Sequence, residues 1–353
     1  MGVWLVYFKG IIGNPVLSPI FFAFIASIFV SLFKIKLKSF SIKGYYACYF
    51  LMFLLSIVLI FLQDYLFDLK FGVLNEIVRI AFPWLFSILF HFAFISSADR
   101  AWNLFFSYSV ILFISSVLRV VGTIAAGNFQ FYDFKYDSFL FLDSNFEGFI
   151  AFCILLLSFA FKFNSNRRNL LNFILLTVCL LSFSRAIWIA LFFYASIRGF
   201  IKLSVRSKII VQVLLLLPSF YLIELYLDDI TSDGSFLTKV DIITNIFGDY
   251  ISQKSTLSLL IGIGSGGMID LFDRESHNLF GLTVELGLVY VPIYTIVFFT
   301  LVYRVTNFLV AFSILLPSLI SLFPIAYTTC LLVFVLCLKY NNNQTISSMK
   351  TSL

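Results

Sequence analysis

The residues best suited to chemistry gather in the stretch LIGIGSGGMIDLFDRESHNLFGLTVELG, residues 260–287. His277 stands there beside Asn278 and three residues after Arg274. An imidazole with an ordinary pKa of about 6.5 accepts a proton at neutral pH, so His277 is a candidate general base for a hydroxyl nucleophile. The plainer alternative is a polar cap where a helix leaves the membrane. The other histidine, His91, lies among phenylalanines and reads as structural. The glycines of GIGSGG follow no strand and end in no Lys-Ser pair, which excludes a nucleotide-binding loop. Backbone amides at Gly264 and Gly266 can still cradle an anion such as a phosphate.

Arg185, in LLSFSRAIWIALFF, sits at a tight turn between two short apolar runs. A guanidinium this close to hydrocarbon is costly unless it meets a polar cavity, a phosphate or lipid headgroups. Arg119 repeats the observation more weakly near the end of another apolar run. Arg79, one turn after Glu76, reads as a structural ion pair. Glu285 follows Asn278 by seven residues and shares its helix face. It either orients polar groups near the mouth or, more simply, bonds to a neighbouring helix. The segment FLFLDSNFEGF adds Asp143, Asn145 and Glu147, acids and an amide that suit hydroxyls or balance the arginines; helix capping by Asp143 or Ser144 is the plain alternative. No histidine, cysteine or carboxylate cluster has metal-ligand spacing, so neither a metal nor another cofactor is expected. Cys48, Cys153, Cys179, Cys330 and Cys337 lie in apolar runs and read as inert.

What must position these groups is a membrane bundle. The 353 residues are 61% hydrophobic and 12% charged, with a mean hydropathy of +1.02. Several apolar runs approach the roughly 20 residues that cross a bilayer. The expected fold is an all-α polytopic integral membrane protein, a single transmembrane domain over 1–353. Spans are expected near 15–33, 44–62, 73–96, 104–125, 146–163, 170–183, 186–201, 209–227, 279–303, 306–322 and 324–338, and a short helix at 3–13 would make about 11–12. The opening residues lack a cleavable signal and read as retained. The net charge of +6 comes from clusters in alternate loops: Lys34 to Lys43, Arg100, Lys162 to Arg168, Lys202 to Lys208, Arg304 and Lys339. By the positive-inside rule these loops face the cytoplasm. No basic soluble domain exists for nucleic acid. The SFSR turn, the acidic loop before residue 147 and one long loop at 228–278 face outward. In that loop Phe236, Val240, Ile243, Phe247 and Ile251 recur at helical spacing, which suits an amphipathic helix on the membrane surface or capping the bundle.

In order, spacing and sidedness, DSNFEGF, SRAIWIA and GIGSGG to HNLFGLTVELGL resemble segments of the O-antigen polymerase and O-antigen ligase superfamily of bacterial polysaccharide assembly. The resemblance covers mostly residues 140–300. It implies a glycosyltransferase type-C fold in the bacterial inner membrane, with its site facing the periplasm and no nucleotide sugar. It implies undecaprenyl-diphosphate-linked glycans as donor and acceptor, and a chain-length regulator as partner. His277 matches the general base and Arg185 the arginine on the donor diphosphate. A second arginine, usual ahead of the glycine turn, is replaced by Lys239, a point charge where a fork is expected; Arg274 is the substitute. Arg119, Asp143, Asn145, Asn278 and Glu285 remain candidates for the substrate. DSNFEGF favours polymerase over ligase. A lipid-linked glycan transporter is the alternative from another class, although neither an internal repeat nor a mid-depth charge pair supports it.

Overall fold

The computed structural model describes residues 43–69, 72–94, 98–127, 133–134, 144–160, 165–204, 207, 237, 241, 244, 247–264, 266–272, 278–320, 332 and 334–338. The expected spans at 15–33 and 209–227, and the segment 3–13, lie outside them. Among the described residues the regular structure is helical, with no strand, and one helix contains a full π turn. The helices are α1 Lys43–Phe67, α2 Val73–Glu76, the π turn Ile77–Ala81, α3 Phe82–Phe94, α4 Ala98–Ala125, α5 Ser144–Ser158, α6 Ser165–Leu181 and α7 Arg185–Lys202. There follow α8 Phe247–Gln253, α9 Thr256–Ile261, α10 Gly267–Phe272, α11 Leu279–Val305 and α12 Phe308–Ile320. The helices within 44–67, 105–125 and 279–305 are long and apolar enough to cross a membrane. The expected spans from 146 to 201 fall on α5, α6 and α7, which are shorter or more polar.

Helices α4, α5 and α6 pack as one group, with α7 and α12 against it; α1, α3 and the short helices α8 to α10 gather around α11. Trp84 is fully buried, edge-on to Tyr49 and Tyr294 with ring centroids 5.5 Å away in each case. Tyr290 and Ser56 share a hydrogen bond of 2.7 Å across α1 and α11. Gly148 lets α5 approach α6 so closely that an added Cβ would stand 2.5 Å from the Ser182 Cβ. Large apolar side chains such as Leu51, Val58, Phe173, Phe192 and Ile296 stay exposed around the outside, the surface a lipid-facing bundle presents.

Two helices depart from regular geometry beside the site. Pro83 has no amide to offer the Arg79 carbonyl four residues back, and the ladder shifts: the Phe82 N–H bonds to Ile77 O instead. Helix α11 breaks at Gly287, with φ 84° and ψ 159°. The apolar run at 279–303 is therefore two helical pieces.

Candidate functional site

The break in α11 strips two carbonyls, Val284 O and Glu285 O, of their helical partners, and buried carbonyls do not go unpaired. Four donors meet them. Val284 O accepts from the Ile263 N–H at 3.2 Å and the Tyr250 hydroxyl at 3.2 Å. Glu285 O accepts from the Gly264 N–H at 3.0 Å and from Gln63 Nε2 at 2.8 Å. Gln63 also donates to Ile261 O at 2.6 Å, which ties the end of α1 to the glycine turn as well. The single Tyr250 proton is shared with Ser258 O, which lies at 2.8 Å.

Two glycines make this crossing of backbones feasible. Gly262, at φ 76° and ψ 175°, faces Gly287. Both occupy a backbone region open essentially to glycine alone. A Cβ on Gly262 would lie 2.3 Å from Glu285 O, and one on Gly287 would lie 2.3 Å from Leu260 O. The glycine turn is thus a close-packing device. Its Gly266 N–H donates to Glu285 Oε1 at 2.9 Å, and its Gly264 N–H is taken by Glu285 O. This corrects the expected anion cradle: the amides of Gly264 and Gly266 are already committed to Glu285.

Glu285 is 4% exposed, and its other oxygen accepts from Arg79 at 3.2 Å, while Arg79 also stands 3.9 Å from Glu76. Of the two uses expected for Glu285, the bond to a neighbouring helix is the one observed. Asn278 caps α11, its Oδ1 accepting from the Gly281 N–H at 2.9 Å, and is itself buried. The aromatic side of this unit is Tyr250, Met268 and Val284 packed with Leu259, Ile263, Phe272 and Phe280. Burial pushes the Tyr250 hydroxyl up to about 12, so it remains a donor at neutral pH. The expected amphipathic stripe ends differently from its pattern. Ile251 is exposed and Tyr250 beside it makes the anchor, 1% exposed.

A second buried charge pair lies beneath the SFSR turn. Arg119, its side chain 1% exposed, stands 3.8 Å from Glu147 and donates to Leu181 O at 2.5 Å. Ser115 and Ser116 also donate to the Glu147 carboxylate, Ser116 at 3.0 Å. Ser144 donates to Ser182 O at 2.6 Å rather than capping its own helix. Arg119, a candidate for the substrate, is thus buried against Glu147 and the Leu181 carbonyl. Phe183 is held at φ 52°, a left-handed conformation that costs a bulky residue about 1–2 kcal/mol, and stacks on Phe134 at 5.0 Å.

Above this pair α7 begins with an open end. Arg185 is its first residue and is exposed. Ser184, the N-cap, makes no side-chain cap hydrogen bond, and its buried Oγ has no partner among the described residues. First-turn amides left uncapped beside a guanidinium favour an anion. Asn145 lies half-buried in the first turn of α5. At the far end of α7, Arg198 and Ile201 line one cleft with residues 305–310, where α11 turns into α12. The start of α7 and the broken start of α11 therefore share one end of the bundle.

His277, Arg274, Lys239 and Asp143 lie outside the described residues. Among those described, no group of histidine, cysteine and carboxylate side chains could hold a metal ion. Sequence reasoning missed Gln63, one residue past the expected span 44–62; its position near the end of an otherwise apolar helix was the available signal. No family model, curated protein or solved structure matches the chain.

Proposed function

We propose that the chain is a membrane glycosyltransferase that polymerises undecaprenyl-diphosphate-linked oligosaccharide repeat units into a surface polysaccharide of the O-antigen type. The observation that supports it most is the start of α7, where an exposed Arg185 adjoins an uncapped helix N-terminus at the same bundle end as the broken helix that follows His277. An anionic leaving group suits that place. The acceptor sugar hydroxyl attacks the anomeric carbon of the donor, the bond from that carbon to the diphosphate oxygen breaks, and undecaprenyl diphosphate departs. His277 takes the hydroxyl proton. Arg185, with Lys239 or Arg274, stabilises charge growing on the diphosphate. Asp143 and Asn145 position sugar hydroxyls, the site opens to the periplasm, and a chain-length regulator acts as partner.

The test is glycan profiling in a strain carrying His277→Ala or Arg185→Ala in place of the wild-type chain. Both variants insert normally and abolish long chains, leaving single repeats on the lipid A core. A full ladder of lengths in the His277→Ala strain refutes the assignment. Complete polymer stranded on its lipid carrier would identify a ligase instead, and reconstituted protein that moves the glycan lipid across a bilayer without joining units would identify a transporter.

A further inference from the structure

The end of the bundle opposite Arg185 carries a second arginine with a different setting. Arg198, on the last turns of α7, lays its guanidinium over the Phe159 ring at 4.6 Å, stands 5.8 Å from the Tyr194 ring, and donates to Tyr194 Oη at 3.1 Å. Among the described residues no carboxylate pairs with it. It is exposed, and Arg167 and Arg304 are exposed cations at the same end. The positive-inside rule assigns that end to the cytoplasm.

Arg198, Phe159 and Tyr194 form the ridge between two clefts. One, of about 680 Å³, runs from Arg198 toward the bilayer interior along Leu155, Leu176 and Leu191. The other, of about 700 Å³, holds Thr306 and Asn307 at the turn between α11 and α12. A cation therefore separates a mostly apolar trough, with Asn169 and Asn172 on its wall, from a cleft that is the more polar of the two. Cation–π contact and the tyrosine bond fix the orientation of the guanidinium, while most of its five donors remain for a ligand. Its planar fork matches phosphate oxygens.

The geometry points to a binding site for an anionic glycerophospholipid of the cytoplasmic leaflet. The phosphate sits on Arg198, one acyl chain fills the trough along Leu155, Leu176 and Leu191, and the headgroup lies toward Thr306 and Asn307. The charge of that leaflet supplies the ligand, and basic pockets between membrane helices on that side suit such headgroups. A free anion would leave the apolar trough without a role. This inference is independent of the proposed reaction.

Full-length protein in neutral detergent is titrated with phosphatidylglycerol, phosphatidylcholine or inorganic phosphate, with retained lipid read by native mass spectrometry and stability by thermal unfolding. Phosphatidylglycerol is retained and stabilises; phosphatidylcholine and inorganic phosphate do not. Arg198→Gln weakens phosphatidylglycerol binding by about tenfold or more, whereas Arg304→Gln, a charge loss outside the clefts, changes it little. Ala195→Phe, which fills the trough from an exposed position, weakens it with every charge intact. Equal retention of the two lipids, equal losses from Arg198→Gln and Arg304→Gln, displacement of the lipid by inorganic phosphate, or full binding by Ala195→Phe each overturns the site. Should Arg198→Gln fail to fold, Arg198→Lys with Ala195→Phe decides by the same readouts.

Discussion

Gly287→Ala addresses the crossing of the glycine turn with the broken helix. The native φ and ψ at Gly287 cost any other residue about 1–3 kcal/mol. The new Cβ would stand 2.3 Å from Leu260 O, 2.4 Å from the Ile261 carbonyl carbon and 2.6 Å from Gly262 N. All three are backbone atoms, so no rotamer change relieves the overlap, and the two strands must separate by roughly an ångström to reach ordinary van der Waals distance. That movement breaks the bonds from Ile263 N–H and Gly264 N–H, already 3.2 and 3.0 Å long. Each buried amide donor left unmet costs about 1–3 kcal/mol. Together the terms reach roughly 3–9 kcal/mol, enough to release the turn from α11 within a protein of ordinary stability. Hydrogen exchange by mass spectrometry in detergent reads this directly: the amides of Ile263 and Gly264 are protected in the wild type and exchange at least a hundredfold faster in Gly287→Ala. Gly122→Ala, on α4 with open space around it, is the control and leaves protection unchanged. Undiminished protection in Gly287→Ala would refute the crossing as the element that holds the turn.

Two other perturbations follow from the buried polar groups. Glu147→Ala leaves the Arg119 charge uncompensated and costs about 3–5 kcal/mol, whereas the double variant Arg119→Met with Glu147→Leu regains much of it; a double-mutant cycle of thermal unfolding in detergent measures the coupling. Tyr250 ionises near pH 10 in an unfolded chain and near 12 when folded, so the stability its neutral form contributes is full below pH 10 and is lost as pH rises from there through 12. Protection of the Ile263 amide therefore falls over that range in the wild type, and the fall shrinks in Tyr250→Phe, which carries no ionisable hydroxyl.

The helical composition and the placing of polar residues at span ends were legible because apolar periodicity and loop charge are local signals. The Glu76 and Arg79 pair was readable for the same reason, being one turn apart. Its third member, Glu285, was not: a contact across 206 positions leaves no trace in a single sequence. The break at Gly287 escaped because hydropathy averages over it, although Gly287 and Pro292 in one apolar run are the chemistry of an interrupted helix. The anion cradle at Gly264 and Gly266 failed as an expectation because glycine reports where backbone comes close and does not say to what. Here the partner was the protein's own carboxylate. The Arg119 contacts with Glu147 and the Leu181 carbonyl were equally unreadable, lying 28 and 62 positions away.

The bridge made by Gln63 has a consequence for biogenesis. Gln63 and Arg79 leave the ribosome 198 and 206 residues before Ile261 and Glu285, the groups they will bond. Until synthesis reaches them, an amide and a guanidinium must sit at the lipid boundary served by headgroups, water or the insertion machinery. The earlier helices are thus held provisionally, and the later segment acts as a latch that closes the assembly only when residues 261–285 have been made.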